Sequence, residues 1–405
     1  MTDLMLNLKT FEPDYGVEAT EEHLLPLKNS AKGLTVNACA HAVFFCQLLE
    51  ATKQKQKINE RIPLYAQELK ETKHLSLRIG IIGGGHVGKQ LARVLLELGG
   101  FPGNNIQIST RQPETLSEFQ VLGVDCFYNN RKLVGWADVV FLCCLPSHLP
   151  HICSEVHKEL RKSSVIYSLV TAISLSRLKQ LLSSSAILRP QYIFTDGSPL
   201  TLWEMSRTVV EALKDPDVVQ ATCPLGPMGA IAVKPKWLEA VFYAALNSYT
   251  CQDLPYTEAL KLLNKVCFPE DATTPSEEQK SPPPPPPPPP PLFVCENFIN
   301  EAFASSLTPD DTFPWFDLTT VQLKESPLSQ LLPTSTSLQH SIASLYCNVI
   351  ALLATESTAH ISKKIPLSAV LLHPTTNQEL SASSGSGICP NNTEEASSSE
   401  SEDIN

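Results

Sequence analysis

The stretch Ile79-Gly80-Ile81-Ile82-Gly83-Gly84-Gly85-His86-Val87-Gly88 decides how this chain folds. Leu77 to Ile82 is a short apolar run that ends on glycines. Val87, Leu91, Val94, Leu95 and Leu98 then recur at three- and four-residue spacing until Gly99 and Gly100. That pattern spells strand, tight turn, amphipathic helix and stop. Within it, Gly83 to Gly88 satisfies G-x-G-x-x-G, which carries weight only in such a setting. Gly83 permits the turn, Gly85 leaves room for an approaching diphosphate, and Gly88 lets the helix pack on the strand. His86 and Val87 open the helix, where unpaired amides and the dipole favour an anion.

Working outward, Ile106 to Ile108 reads as a second strand, and a helix opened by Pro113 and closed by Gly123 follows it. Val139 to Cys144 is an uninterrupted apolar strand, as a sheet covered on both faces requires. His148 to Leu160 is expected as a helix, Val165 to Leu169 as a strand and Leu175 to Leu182 as a helix. Ala186 to Leu188 and Tyr192 to Phe194 are expected as strands. This alternation predicts a Rossmann-type, doubly wound α/β parallel sheet over residues 77–200.

The second strand ends on Ser109, Thr110 and Arg111, where an NAD site would place an acid about 20 residues beyond the glycine motif. Hydroxyls and a guanidinium fork replace the carboxylate and suit a 2′-phosphate, so NADP is the expected cofactor. Cys144-Leu145-Pro146-Ser147-His148 lies at the carboxyl edge of the sheet, on the nicotinamide side. His148 reads either as an acid or as a residue at the start of the next helix. Ser168, Thr171 and Ser174 read as turn and capping hydroxyls.

The flanks are different in kind. Leu34 to Leu49 reads as a packed helix, broken by Asn37, His41 and Gln47 and too short to span a membrane. Residues 1–76 are expected as a helical extension outside the cofactor domain. Beyond Pro199 the strand pattern gives way to helical spacing at Trp203–Leu213, Trp237–Tyr249, Glu258–Val266, Phe293–Leu307 and Leu338–Leu353. This predicts a mainly helical second domain over 201–355. It is interrupted at 269–291 by an acidic stretch and the prolines Pro282 to Pro291, which should extend as polyproline II. Residues 356–405 are expected as a mostly disordered Ser-rich and acidic tail.

The formal charge of −11 is concentrated in that tail and in the 269–291 loop, so the folded part is near neutral and offers no basic stripe for nucleic acid. Twelve scattered cysteines, without paired ligand spacing, read as reduced thiols rather than a disulfide frame or a metal site. With an acidic N-terminal stretch, they predict a cytoplasmic protein.

Together these residues resemble the pyrroline-5-carboxylate reductase family. The likeness rests on Ile79 to Gly88, on Ser109-Thr110-Arg111 as the NADP-selecting turn, and on Ala137-Asp138-Val139-Val140-Phe141-Leu142 as the strand before the family's Ala-Val-Lys-Pro signature. By that resemblance Pro146 and the Val170-Thr171-Ala172 turn flank the nicotinamide. It also implies that the substrate is a small cyclic imino acid reduced in proline biosynthesis, and that the helical region forms a homodimer. The chain departs from the family at Leu145, which stands for its Lys, and at Val170-Thr171-Ala172, which stands for Ala-Ala-Gly. It also lacks the Ser-Gly-Ser-Gly-Pro-Ala-Tyr segment, so the proton donor stays unassigned.

Two functions follow. One is a reductase passing hydride from NADPH to a small-molecule imine or carbonyl. The other is an NADP-binding adaptor without turnover, for which Pro282 to Pro291 would supply an SH3- or WW-type ligand. The run lacks the flanking Arg or Lys that would orient such a ligand, which favours a spacer.

Overall fold

Six parallel strands form the central sheet: β1 (Ile79–Ile82), β2 (Ile106–Ser109), β3 (Asp125–Phe127), β4 (Val139–Leu142), β5 (Val165–Ser168) and β6 (Ile187–Leu188), in the order β3-β2-β1-β4-β5-β6. The computed structural model describes residues 24–59, 76–195, 200–203, 208–226, 230–268 and 292–364. Ile79 pairs with Ile106 on one side and Val139 on the other, and Val139 in turn pairs with Val165. Alternate residues of the central strands enter two apolar layers. Ile79, Ile81, Phe141 and Tyr167 face one, and Ile82, Val140, Leu142 and Ile166 face the other. Burial on both faces explains why these strands read as continuous apolar runs.

The N-terminal helix α1 (Leu25–Asn59) is the main correction to the sequence reading. It does not sit outside the cofactor domain. It runs through the core against α2 (His86–Arg93), which continues as a π turn over Val94–Leu98, and on the face of the sheet that bears Phe141 and Tyr167. Cys39, Ala40, Ala42, Val43, Phe45 and Cys46 are fully buried. A helix that is apolar all round can only be satisfied by being enclosed. Its stretch Leu25–Lys53 is long and apolar enough to cross a membrane by length and composition, but 72% of its most apolar window is buried within the protein. Thr336–Ala354 passes the same test and is 22% buried.

Three short helices appear between the strands: α3 (Ser117–Val121), α4 (Asn130–Trp136) and α5 (Leu149–Val156). They are followed by α6 (Leu175–Leu182). Helices α4, α5 and α6 cover the face of the sheet opposite α1. β3 and α4 leave no signature in the sequence, since Asp125-Cys126-Phe127 is too short and too exposed to show a period. β7 (Tyr192–Phe194) does not join the parallel sheet. It pairs antiparallel with β8 (Ile231–Val233), so strand structure continues past Pro199.

The remaining helices are α7 (Val209–Ala212), α8 (Pro216–Thr222), α9 (Pro235–Thr250), α10 (Tyr256–Cys267), α11 (Glu301–Ala304), α12 (Leu318–Leu323), α13 (Pro327–Thr334) and α14 (Thr336–Lys364). The helix expected over Phe293–Leu307 is a 3-10 turn at Cys295–Asn297 followed by α11: Asn297 accepts from the Val294 N–H at the first start, and Asn300 caps the second through the Phe303 N–H. Of the helix expected over Trp203–Leu213, the described residues form a 3-10 turn at Leu200–Trp203 and α7, and residues 204–207 lie outside them. α14 runs past the expected boundary at 355. The loop at 269–291 and residues 365–405 lie outside the described residues. The cofactor half and the helical half share one core, since α9 packs on α1 and α12 packs on β6.

Two polar groups, one half-buried and one fully buried, hold α1 in place. At the amino edge of the sheet, Asp138 accepts from Lys53 Nζ of α1 at 2.8 Å, from Arg78 Nη2 at 2.9 Å and from Arg161 Nη2 at 2.7 Å. Burial opposes ionisation of Asp138. The hydrogen bond from Arg78, the charge and hydrogen bond of Lys53 and the hydrogen bond from Arg161 outweigh it and hold the carboxyl well below the usual range. Deeper inside, His41 Nε2 lies 2.8 Å from the Thr222 carbonyl, which only accepts, so Nε2 carries the proton. Nδ1 then accepts from Tyr192 Oη at 3.0 Å. The ring also stacks on Tyr192 and leans on Trp237.

Candidate dinucleotide site

The strand order reverses between β1 and β4, and the loops after β2, β1, β4 and β5 stand side by side at the carboxyl edge there. A doubly wound sheet binds its ligand at that crevice. Gly83 has a φ of +110°, and its N–H donates to the Ser109 carbonyl at 2.9 Å. A Cβ on Gly83 would also lie 2.6 Å from the Cys143 carbonyl oxygen, so only glycine passes here. Gly85 is the N-cap of α2, and a Cβ built on it meets nothing within 4 Å. Open space beside a helix start whose first amides lack intrahelical partners is a cradle for a diphosphate. His86 and Val87, both half-buried, form that first turn. Burial, assisted by the Arg93 charge, lowers the His86 pKa.

At the end of β2 the three residues singled out by the sequence divide in role. Ser109 is buried; its hydroxyl donates to Asn130 Oδ1 at 2.8 Å and accepts from the Asn129 N–H at 3.1 Å. It braces the start of α4, and its side chain is committed within the protein. Thr110 is half-buried against Gly84, whose added Cβ would lie 3.0 Å from the Thr110 Cβ. Arg111 is exposed and makes no ion pair among the described residues. Thr110 and Arg111 thus remain accessible at the end of β2, and the sequence places no carboxylate there.

Across the switch point, Cys143 donates its N–H to the Ile82 carbonyl, which aligns residues 143–148 with the glycine turn. Pro146 is half-buried, and Thr171 and Ala172 are exposed on the next loop. That loop is braced by Arg189, which follows β6 and donates to the Val170 and Thr171 carbonyls. Gln322 of α12 in turn accepts from the Arg189 N–H at 3.0 Å. Neither brace was readable in the sequence, because each partner comes from a distant segment. His148 occupies the N-cap of α5 without a side-chain capping bond, whereas Ser174 caps α6 through the Arg177 N–H. Burial pushes the Cys143 thiol well above its usual value and that of Cys144 up to about 11, so neither is a thiolate at neutral pH.

Residues 78–171 match the family model described as NADP oxidoreductase coenzyme F420-dependent. NADP-dependent oxidoreductase domain-containing protein 1 of Mus musculus is 37% identical over 93% of this chain and its own full length. Pyrroline-5-carboxylate reductase 3 of Danio rerio is 30% identical over 26% of this chain, which spans only 37% of that protein. A solved pyrroline-5-carboxylate reductase from Coxiella burnetii aligns at 14% identity over 70% of this chain and 98% of its own, with a TM-score of 0.28. With its glycine turn, its acid-free second strand and a match running nearly end to end, the chain belongs to the family of NADP-dependent oxidoreductase domain-containing protein 1, and its dinucleotide-binding module is of the NADP class.

Proposed function

We propose that this protein is an NADP-dependent oxidoreductase that reduces a small C=N or C=O substrate. The observation that carries the proposal is the open cradle at Gly85, with Thr110 packed against the adjacent Gly84 and the exposed Arg111 next to Thr110 in the chain. Amides at the start of α2 bind the diphosphate, and Arg111 and Thr110 hold the 2′-phosphate. Pro146 and the Thr171-Ala172 turn border the far end of the groove, where Arg189 keeps that turn in place. When bound, the reduced cofactor supplies the hydride. The names of the partial relatives favour a cyclic imino acid of the pyrroline-5-carboxylate type, which would place the chain in proline biosynthesis.

The test follows NADPH absorbance with purified protein against cyclic imines and small carbonyls, beside a binding titration. Turnover of a cyclic imine supports the reading. Tight NADPH binding with no turnover across the panel would replace it with the adaptor reading. In the same titration Arg111→Asp should weaken NADP at least tenfold more than NAD, and equal losses would remove the assignment of the 2′-phosphate site.

Further proposals concern assembly and location. The stretch Thr336–Ala354 of α14 contains no charged residue yet is only 22% buried, which favours a homodimer through the helical region. Sedimentation should give twice the chain mass, and a monomer at micromolar concentration would refute it. Deleting Pro282 to Pro291 should leave activity intact if the run is a spacer, and should abolish an SH3 or WW contact if it is a ligand. A cytoplasmic location is supported by the free thiols, which are unbridged among the described residues. Cell fractionation tests it.

A further inference from the structure

Where the end of α8 meets α14, neighbouring residues face one another in register. Tyr346 Oη donates to Thr222 Oγ1 at 2.9 Å. The next residue, Cys347, brings its sulfur to 3.5 Å from Gln220 Oε1, one turn back on α8. Cys223 follows Thr222 as the C-cap, and its N–H donates to the Gln220 carbonyl at 3.2 Å. Cys223 and Cys347, each the neighbour of one partner in the Thr222–Tyr346 bond, therefore meet at the helix junction, with their side chains within reach of each other. Cys347 is half-buried on the side of α14 that faces α8, apart from the exposed side offered to a second copy, and solvent reaches it there, whereas Cys223 is buried behind it.

We propose that Cys223 and Cys347 form a redox-modifiable dithiol site, at which hydrogen peroxide installs a disulfide joining the end of α8 to α14. Donation from the Cys223 thiol favours ionisation of Cys347 and lowers its pKa. The same bond, with burial, raises that of Cys223. The Cys347 sulfur attacks one peroxide oxygen and the O–O bond breaks. The departing hydroxide takes up a proton as water, which leaves a sulfenic acid on Cys347. The Cys223 sulfur then attacks the Cys347 sulfur. The S–S bond forms, the S–O bond breaks, and the hydroxyl leaves as a second water with the Cys223 proton. Two thiols and one peroxide thus give one disulfide and two waters, with two electrons passing from sulfur to oxygen.

Four other thiols among the described residues are held protonated by their surroundings. Burial pushes Cys39 and Cys153 up to about 12, and Cys46 and Cys143 well above the usual value. Cys251 is exposed at the end of α9. The Cys223–Cys347 bond would close a long segment of chain at the point where the Thr222 carbonyl also receives His41, so it would fasten α1, α8 and α14 together.

The experiment treats the full chain with equimolar hydrogen peroxide, alkylates it and digests it without reductant. The expected result is a Cys223 peptide joined to a Cys347 peptide, an intact mass lower by about 2 Da for the two hydrogens lost, and a Tm several degrees higher that falls back with dithiothreitol. In Cys223→Ser, oxidation should stop at the Cys347 sulfenic acid, trapped by dimedone. Unlinked peptides from the unmodified chain, with dimedone on Cys251 instead, would overturn the proposal. So would equal trapping on Cys347 with and without Cys223.

Discussion

Gly83 and Gly88 are so close that a Cβ on Gly88 would sit 1.9 Å from the Gly83 carbonyl oxygen. The first turn of α2 and the turn after β1 therefore exist only as a glycine pair. Gly88→Ala must push strand and helix apart, at a cost of about 2–3 kcal/mol. The expected outcome is a lower midpoint in chemical denaturation together with loss of NADPH binding. A variant with unchanged stability would show that the turn is not under this constraint.

Gly85 is the contrasting case. Its φ of −78° suits any residue and the space beside it is open. Gly85→Val should lower the denaturation midpoint only by the loss of a favourable N-cap, about 1 kcal/mol, and weaken NADPH at least tenfold, because the side chain fills the room meant for the diphosphate. Calorimetric titration reads this directly, and retained affinity would move the diphosphate elsewhere.

Asp138 joins three basic side chains from α1 and from the starts of β1 and β5. With its side chain 18% exposed, removing the charge should cost about 2 kcal/mol, less than the loss at a fully buried ion pair. Asp138→Asn is expected to lower Tm while leaving NADPH affinity unchanged, since the node lies at the sheet edge opposite the glycine turn. A change in affinity without a change in Tm would contradict this placement.

His41 makes stability depend on pH. Burial lowers its pKa from 6.5 to about 4, against the smaller opposing effect of its hydrogen bond to Thr222. Between those values the unfolded chain binds the proton and the folded chain does not. The stabilisation is complete above pH 6.5 and is lost progressively as pH falls toward 4, to a total of roughly 3 kcal/mol. Urea titrations at pH 7 and pH 5 should show the slope, and His41→Gln should flatten it.

Much of the architecture is local and was therefore legible. Gly83 to Gly88 needs only its own neighbours to form a turn, and the apolar runs at Ile79–Ile82, Val139–Leu142 and Val165–Ser168 need only burial on both faces. Helix α6 was read with its bounds at Leu175 and Leu182, because a capping Ser174 and a clean period are both sequence-local. The acid-free end of β2 was equally plain, since the choice of charge there is made by Ser109, Thr110 and Arg111 alone.

What required the tertiary structure is whatever depends on partners far apart in the chain. The sequence by itself determined a Rossmann half with an NADP-type strand end, through backbone sterics and periodic burial. Only the tertiary structure decided that α1 belongs to the core and that the Ser109 hydroxyl is taken up by Asn129 and Asn130. It alone decided that Arg189 braces the Thr171 turn and that Cys223 meets Cys347. Hydrogen bonds and packing across such distances leave no period in the sequence, because the chain records which groups need partners and the fold chooses which partners they get.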